Sequence, residues 1–340
     1  MGWGMGVQQP VFVLGGVMNT EFPFVLEALS YYNIAPAEIT LLRHNENMTF
    51  RVNEDYLLQI HKPIDGFQLQ YLYEGFDRMA IYETELDFQA YLMAQGMTVR
   101  VPVENCWGKR MTRLKNGIMA TVSKWIDGVS LDKLTLNDTY YDQIGAMVAK
   151  LHRCAKGFRG NPCLLYNAQH CMRLKKRFLE LDDAAFRASY SELLAEVCHA
   201  VGESLSRAEE QGTFQMLHAD LSPSNILETK NGLTAIDFSL FGMGHPMLDL
   251  AELYGNIGGL ASRQKIAEGY IREGGTIDYG MLDACFVETI LDGLAIHFDQ
   301  WHTQDWFEDR MTRWCRQSFI PFCSGERLFS DDMYVLHAEP

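Results

Sequence analysis

Leu217-His218-Ala219-Asp220-Leu221-Ser222-Pro223-Ser224-Asn225-Ile226-Leu227, followed shortly by Leu233-Thr234-Ala235-Ile236-Asp237-Phe238, is the stretch that decides how this chain is read. The two apolar runs flank Asn231-Gly232, a dipeptide that favours a two-residue type I′ turn because both central positions need positive φ. The spacing predicts a hairpin that sets Asn225 and Ile226 opposite Phe238 and Asp237. An amide oxygen and a carboxylate then emerge at one end of it, with Asp220 in the entering loop. Hard oxygens of this kind suit Mg2+, which takes one or two protein groups and fills the rest of its shell with phosphate and water. Asp220 is left to accept a proton from an incoming hydroxyl. The grouping predicts magnesium-assisted phosphoryl transfer. The structural alternative is a capping Asp, a turn Asn and a strand-ending Asp.

Upstream, Phe22, Leu26 and Leu29 with Pro36 predict a leading helix, and Met48 to Val52 and Tyr56 to Lys62 predict strands about the turn Asn53-Glu54-Asp55. Met79, Tyr82, Leu86, Ala90 and Met93 predict a helix stopped by Gly96. Val99, Val101 and Val103 alternate as a strand, and a second Asn-Gly pair, Asn116-Gly117, joins two more into a hairpin. Past Trp125-Ile126-Asp127-Gly128 the pattern turns helical, through Ile144, Val148, Leu151 and His152, a helix pair over 172–208, and helices over 248–253, 266–270 and 281–298. The expectation is an α+β chain of two lobes: an antiparallel sheet with one packed helix over 1–122, a hinge at 123–128, and a mainly helical lobe over 129–340.

At 340 residues, with 47% hydrophobic content, the chain has ample material for two lobes. A formal charge of −15 disfavours nucleic acid and anionic membrane surfaces and favours cationic partners. The run Arg173-Leu174-Lys175-Lys176-Arg177 reads as a solvated helix face beside Leu174, Phe178 and Leu181. The eight cysteines show neither a Cys-x-x-Cys pair nor a zinc-like spacing and are expected as buried free thiols. No signal segment or membrane-length apolar run stands out, so a cytoplasmic location is expected.

His218-x-Asp220-x-x-x-x-Asn225 with Asp237-Phe238-Ser239, and Gly242, Gly244 and Asp249 beyond, resembles the aminoglycoside phosphotransferase and choline kinase-like family, which has a protein-kinase-like fold. The resemblance implies a small-molecule kinase using ATP or GTP with Mg2+. It implies Asp220 as the hydroxyl-orienting base, Asn225 and Asp237 as metal ligands, and His218 and Asp249 as supports of the loop. For the nucleotide it points to Asn47 and Thr49 in a covering turn, to Gln59 and His61 on the next strand, to Glu85 on the following helix, and to Ser123 and Trp125 at the hinge between the lobes.

Gln59 departs from the family, which usually has Lys or Arg there. Gln cannot neutralise phosphate, and alternation puts Leu57, Gln59 and His61 on one strand face, so His61 is the nearer helper. In the family Glu85 pairs with the missing cation; here a bond to Gln59 or His61 and a plain surface position both stay open. Trp125 serves adenine or core packing equally well.

The acceptor is expected to be a small hydroxyl-bearing molecule, an amino alcohol or aminosugar, placed against the C-terminal helices by Asp299, Trp301, Asp305 and Trp306, with Glu288 and Asp292 on the same segment. An acidic solvated surface with buried aromatics is the alternative. A nucleotide-binding regulator with weak catalysis is the second functional reading, and phosphoester hydrolysis a third. Oligomeric state is left open.

Overall fold

The computed structural model describes residues 11–13, 22–66 and 72–329. Its contacts divide into two compact units, the described residues up to 66 with 100–127, and 72–99 with 128–329.

The first unit is built on a six-stranded sheet. Its strands are β1 (Val11–Val13), β2 (Glu38–His44), β3 (Met48–Val52), β4 (Tyr56–Ile60), β5 (Met111–Arg113) and β6 (Met119–Lys124), in the order β1-β2-β3-β4-β6-β5. All neighbours are antiparallel except β1 and β2. The helix α1 (Phe22–Tyr31) lays Val25, Ala28 and Leu29, followed by Tyr32 just beyond its end, against Ile39, Phe50, Leu58, Ile60 and Val122. That i, i+3, i+4, i+7 spacing is one helical face. Even-numbered residues of β3 and β4 therefore point into the core, and Thr49 and Gln59 lie on the opposite face.

Three sequence expectations change here. The strands β1 and β2 were not foreseen, although Ile39 is buried on β2. Strand β4 ends at Ile60 and not Lys62, because the Lys62 N–H turns back to the Ile60 carbonyl at 2.8 Å. The predicted strand 99–103 is reduced to a single bridge, Pro102 to Ser123. Proline has no N–H to offer a continuing ladder, and Val103 N–H to Val122 O with Lys124 N–H to Val101 O are what remain. The Asn116-Gly117 hairpin forms, with Gly117 at φ 85° closing a loop from Leu114 to Ile118.

The second unit begins with α2 (Arg78–Ala94), capped by the Asp77 carboxylate on Met79 N–H and stopped at Gly96, φ 82°. The sequence order had assigned this helix to the sheet lobe. Its contacts group it with the helical unit, because Phe88 packs on Phe158, Phe238 and Phe241 at centroid distances of 5.0–5.8 Å.

Next come β7 (Val129–Ser130), α3 (Asp138–Ala155), β8 (Leu164–Leu165), α4 (Ala168–Glu180), α5 (Ala184–Glu210), β9 (Gln215–Leu217), β10 (Ile226–Thr229), β11 (Gly232–Ala235) and β12 (Gly242–Gly244). The helices α6 (Met247–Asn256), α7 (Leu260–Arg272), α8 (Tyr279–Trp301), α9 (Phe307–Trp314) and α10 (Ile320–Cys323) complete the unit. Two small sheets, β11-β10-β7 and β8-β12-β9, interrupt the helices. Gly242 sits so close to β8 that a Cβ would lie 2.6 Å from the Leu164 carbonyl oxygen, which is why glycine stands there.

The thiols at 163, 171, 198, 285 and 315 are buried, whereas Cys106 is exposed and Cys154 and Cys323 are half-buried, which corrects the expectation of uniform burial. Among the described residues no helix is long and apolar enough to cross a membrane.

Candidate active site

The hairpin β10–β11 forms, but with a different register. Ile226 pairs with Ala235 and Thr229 with Gly232, so the turn residues are Lys230 and Asn231. Thr229 is the reason. Its hydroxyl accepts from Asn231 N–H at 3.1 Å and donates to Gly232 O at 2.8 Å, and this closes the turn one step early. Only Gly232 of the Asn-Gly pair has positive φ, 102°. The shift is by two residues, so the facing of every side chain is preserved. Asn225 and Asp237 leave the ladder, Asn225 in a 3₁₀ turn with Pro223 and Ser224, and Asp237 at φ 67°. They stay adjacent because Ile236 N–H donates to the Asn225 carbonyl at 2.9 Å.

Asn225 also organises Asp220. Its side-chain nitrogen donates to the Asp220 backbone oxygen at 2.9 Å and to Asp220 Oδ2 at 2.8 Å. Both partners can only accept, which fixes the amide with its nitrogen toward Asp220 and its oxygen away from it. An aspartate held by two bonds from one amide, and an amide oxygen directed away from it, thus come from one short loop.

That loop is anchored from beneath. Asp249, near the start of α6 and fully buried, accepts His218 N–H at 3.2 Å and Ala219 N–H at 2.7 Å. Ala219 is held at φ 57°, a conformation costly for a residue with a Cβ, and the Asp249 bond offsets that strain. His152 Nε2 meets Asp249 Oδ2 at 3.0 Å, and its Nδ1 meets the Tyr270 hydroxyl at 2.8 Å. Burial by itself would raise the Asp249 carboxyl. The bond and field of His152, with His218 and Ala219, outweigh it and hold the group below its usual range. His218 donates from Nε2 to the Ile236 carbonyl at 3.0 Å, and its Nδ1 lies 3.3 Å from Asp220 N, contacts that tie β9 to the segment before Asp237.

Sequence reasoning missed Glu252, although it lies three residues after Asp249 on α6. Its carboxyl is pushed well above the ordinary range by burial, then by the negative field of Asp220, Asp292, Asp249 and Glu288. The same enclosure and the charges of Asp292, Glu252 and Asp220 raise the Tyr166 phenol. Glu252, Tyr166 and Asp220 therefore share one electrostatic environment.

In the first unit the polar candidates lie along one sheet face. Gln59 is opposite Thr49 on β3 and Thr121 on β6, and all three are buried. His61 joins them, with Nδ1 at 3.0 Å from Asn47 Oδ1 and Nε2 at 3.4 Å from the Thr121 hydroxyl. Ser123 is buried on β6. Trp125 has the Arg51 guanidinium 4.5 Å above its ring.

Glu85, by contrast, belongs to the second unit. It is 8% exposed and accepts Gln89 Nε2 at 2.8 Å, so it is not the plain surface residue that the sequence left open. Of the C-terminal candidates, Trp301 clusters with His297, Trp306 and Trp314 at 4.6–6.2 Å. Arg310 lies over Trp306 and Trp314, Asp299 pairs with Arg177 at 3.7 Å, and Asp305 is exposed.

The chain belongs to the phosphotransferase enzyme family, which it matches over residues 38–285. Among solved structures it resembles a microcompartment-associated aminopropanol kinase, 21% identical with a TM-score of 0.72 over 91% of this chain and 100% of that one. It also resembles the amicoumacin kinase hAmiN in complex with AMP-PNP, Ca2+ and Ami, at 15% identity and TM-score 0.69 over 94% and 97% of the two chains. A third is the choline kinase LicA from Streptococcus pneumoniae, at 16% identity and TM-score 0.58 over 89% and 98%. These likenesses establish the protein-kinase-like fold of such phosphotransferases. No curated protein sequence matches the chain significantly.

Proposed function

We propose that this chain moves the γ-phosphoryl group of ATP or GTP, with Mg2+, onto a hydroxyl of a small cationic molecule, an amino alcohol or an aminosugar. The observation that carries the reading is the pair of hydrogen bonds that the Asn225 amide donates to Asp220, beside Asp237. Asp220, oriented by that amide, accepts the acceptor's hydroxyl proton as its oxygen bonds to the γ-phosphorus and the β–γ bridging bond breaks. Asn225 and Asp237 are the oxygens that fit a divalent ion, both hard donors on adjacent backbone; when bound, Mg2+ supplies charge neutralisation at the phosphates. His218, Asp249 and His152 keep the loop in place.

Glu252 supports the cationic acceptor. Burial first, and then the negative field of Asp220, Asp292, Asp249 and Glu288, push its carboxyl up, and an incoming ammonium offsets both effects. The structural neighbours include kinases named for aminopropanol and choline, consistent with this class of acceptor. An ADP-release screen pairing amino alcohols and aminosugars with their neutral hydroxyl analogues is expected to favour the cationic members by about tenfold or more, one charge-assisted contact. Preference for the neutral or anionic members would remove the cationic class and leave the kinase reading standing.

Gln59 favours a second reading, a nucleotide-binding regulator that turns over weakly. For an active kinase whose phosphates are already neutralised, Gln59→Lys should leave turnover largely unchanged. A parent inactive on every acceptor, with a clear gain in Gln59→Lys, would support the regulator instead.

A further inference from the structure

The basic run of α4 does not present a wholly solvated face. His170 and Arg173 are both buried, and His170 points toward α8 with Nε2 at 2.8 Å from Asp292 Oδ1. Glu288 lies one helical turn before Asp292, on the same face of α8. One ligand atom from each of His170, Glu288 and Asp292 lies within 4.8 Å of the others, and the three residues are 0%, 0% and 9% exposed.

Glu288 is the anomaly. Neither carboxylate oxygen has a hydrogen-bond partner, although both are shut away from solvent. Leaving such a group unsatisfied is costly, and a cation bound among the three side chains would satisfy it.

We propose that His170, Glu288 and Asp292 form a closed site for one divalent first-row metal ion, Zn2+ or its like, distinct from the ion assigned to Asn225 and Asp237. One imidazole nitrogen and two carboxylates are a donor set such ions take. Bond lengths of about 2.1 Å place neighbouring donor atoms about 3.4 Å apart in a tetrahedral shell, so the 2.8 Å His170–Asp292 separation opens by several tenths of an ångström and Glu288, within 4.8 Å of both, turns in to complete the set. Arg173 Nη2 lies 3.5 Å from His170 Nδ1 and also donates to the Leu165 carbonyl at 3.3 Å. Metal ligation puts the ring proton on Nδ1, so the weaker of these two contacts yields. The ion joins α4 to α8.

Metal retention is read directly, so the test needs neither nucleotide nor acceptor. The full-length Asp237→Ala protein, dialysed against Zn2+ and passed through gel filtration, is expected to retain one equivalent by elemental analysis. Glu288→Gln placed on that background should lose it. Gln has the size of Glu and carries no charge, so the double variant is expected to fold. In the wild-type protein without nucleotide, Zn2+ should raise the melting temperature by about 5 °C over the EDTA-treated form, as a ligand bound only by the native state does. Cobalt(II) should give visible bands without the thiolate charge-transfer absorption that binding at cysteine would produce. Metal equally retained by the Glu288→Gln double variant, thiolate absorption with cobalt, or no retained metal with no thermal shift in the wild type would each overturn the proposal.

Discussion

Asp220→Asn is expected to lower phosphoryl transfer by about 10²- to 10⁴-fold, the span for losing a positioned base, while folding and nucleotide affinity are retained. The structure gives the reason for this separation. The Asn225 amide bonds the backbone oxygen of residue 220 as well as its side chain, and Asp249 holds the two preceding N–H groups, so the loop keeps its shape when the carboxylate becomes an amide. What the variant removes is the carboxylate proposed above as the proton acceptor. Steady-state turnover against acceptor concentration, with nucleotide affinity measured separately, checks the result. A variant that turned over like its parent would reduce Asp220 to a loop cap.

Asp237→Ala should abolish the Mg2+-dependent part of nucleotide binding, and turnover with it. Because residue 237 sits at φ 67°, alanine adds a backbone penalty on the order of 1 kcal/mol that aspartate tolerates better. Asp237→Asn separates the two effects, since asparagine also accepts the left-handed conformation but removes the charge. Both variants are expected to lose metal dependence, and Asp237→Ala alone to melt lower. Titration of nucleotide with and without Mg2+, beside a thermal melt, reads both. Unchanged Mg2+-nucleotide affinity in the two proteins would end the metal assignment.

The local signals in the sequence were strong where spacing carries geometry. The loop from His218 to Asn225, the apolar runs about Asn231-Gly232 and the helical stripes of α3 and α8 were all legible, because each depends on neighbours within a few residues. The hairpin register was not. Thr229 competes for the turn through its own hydroxyl, an interaction that the Asn-Gly preference does not register. The strand expected at 99–103 failed for a simpler reason, the missing N–H of Pro102.

Sequence by itself determined the family, the α+β character, and the identity of Asp220, Asn225 and Asp237 as the candidate site, since their types and intervals lie within one loop and one hairpin. Tertiary structure decided which distant groups support and surround them. His152 reaches Asp249 across 97 residues, and His170 reaches Asp292 across 122. Glu252 meets the field of Asp220 only when α6 packs beside the loop. Such contacts depend on where helices pack, and periodicity reports only which face of a helix is buried, not which partner buries it. The same limit explains α2: its apolar stripe was plain in the sequence, but that Phe88 packs on Phe158, Phe238 and Phe241 was settled by the packing of the chain.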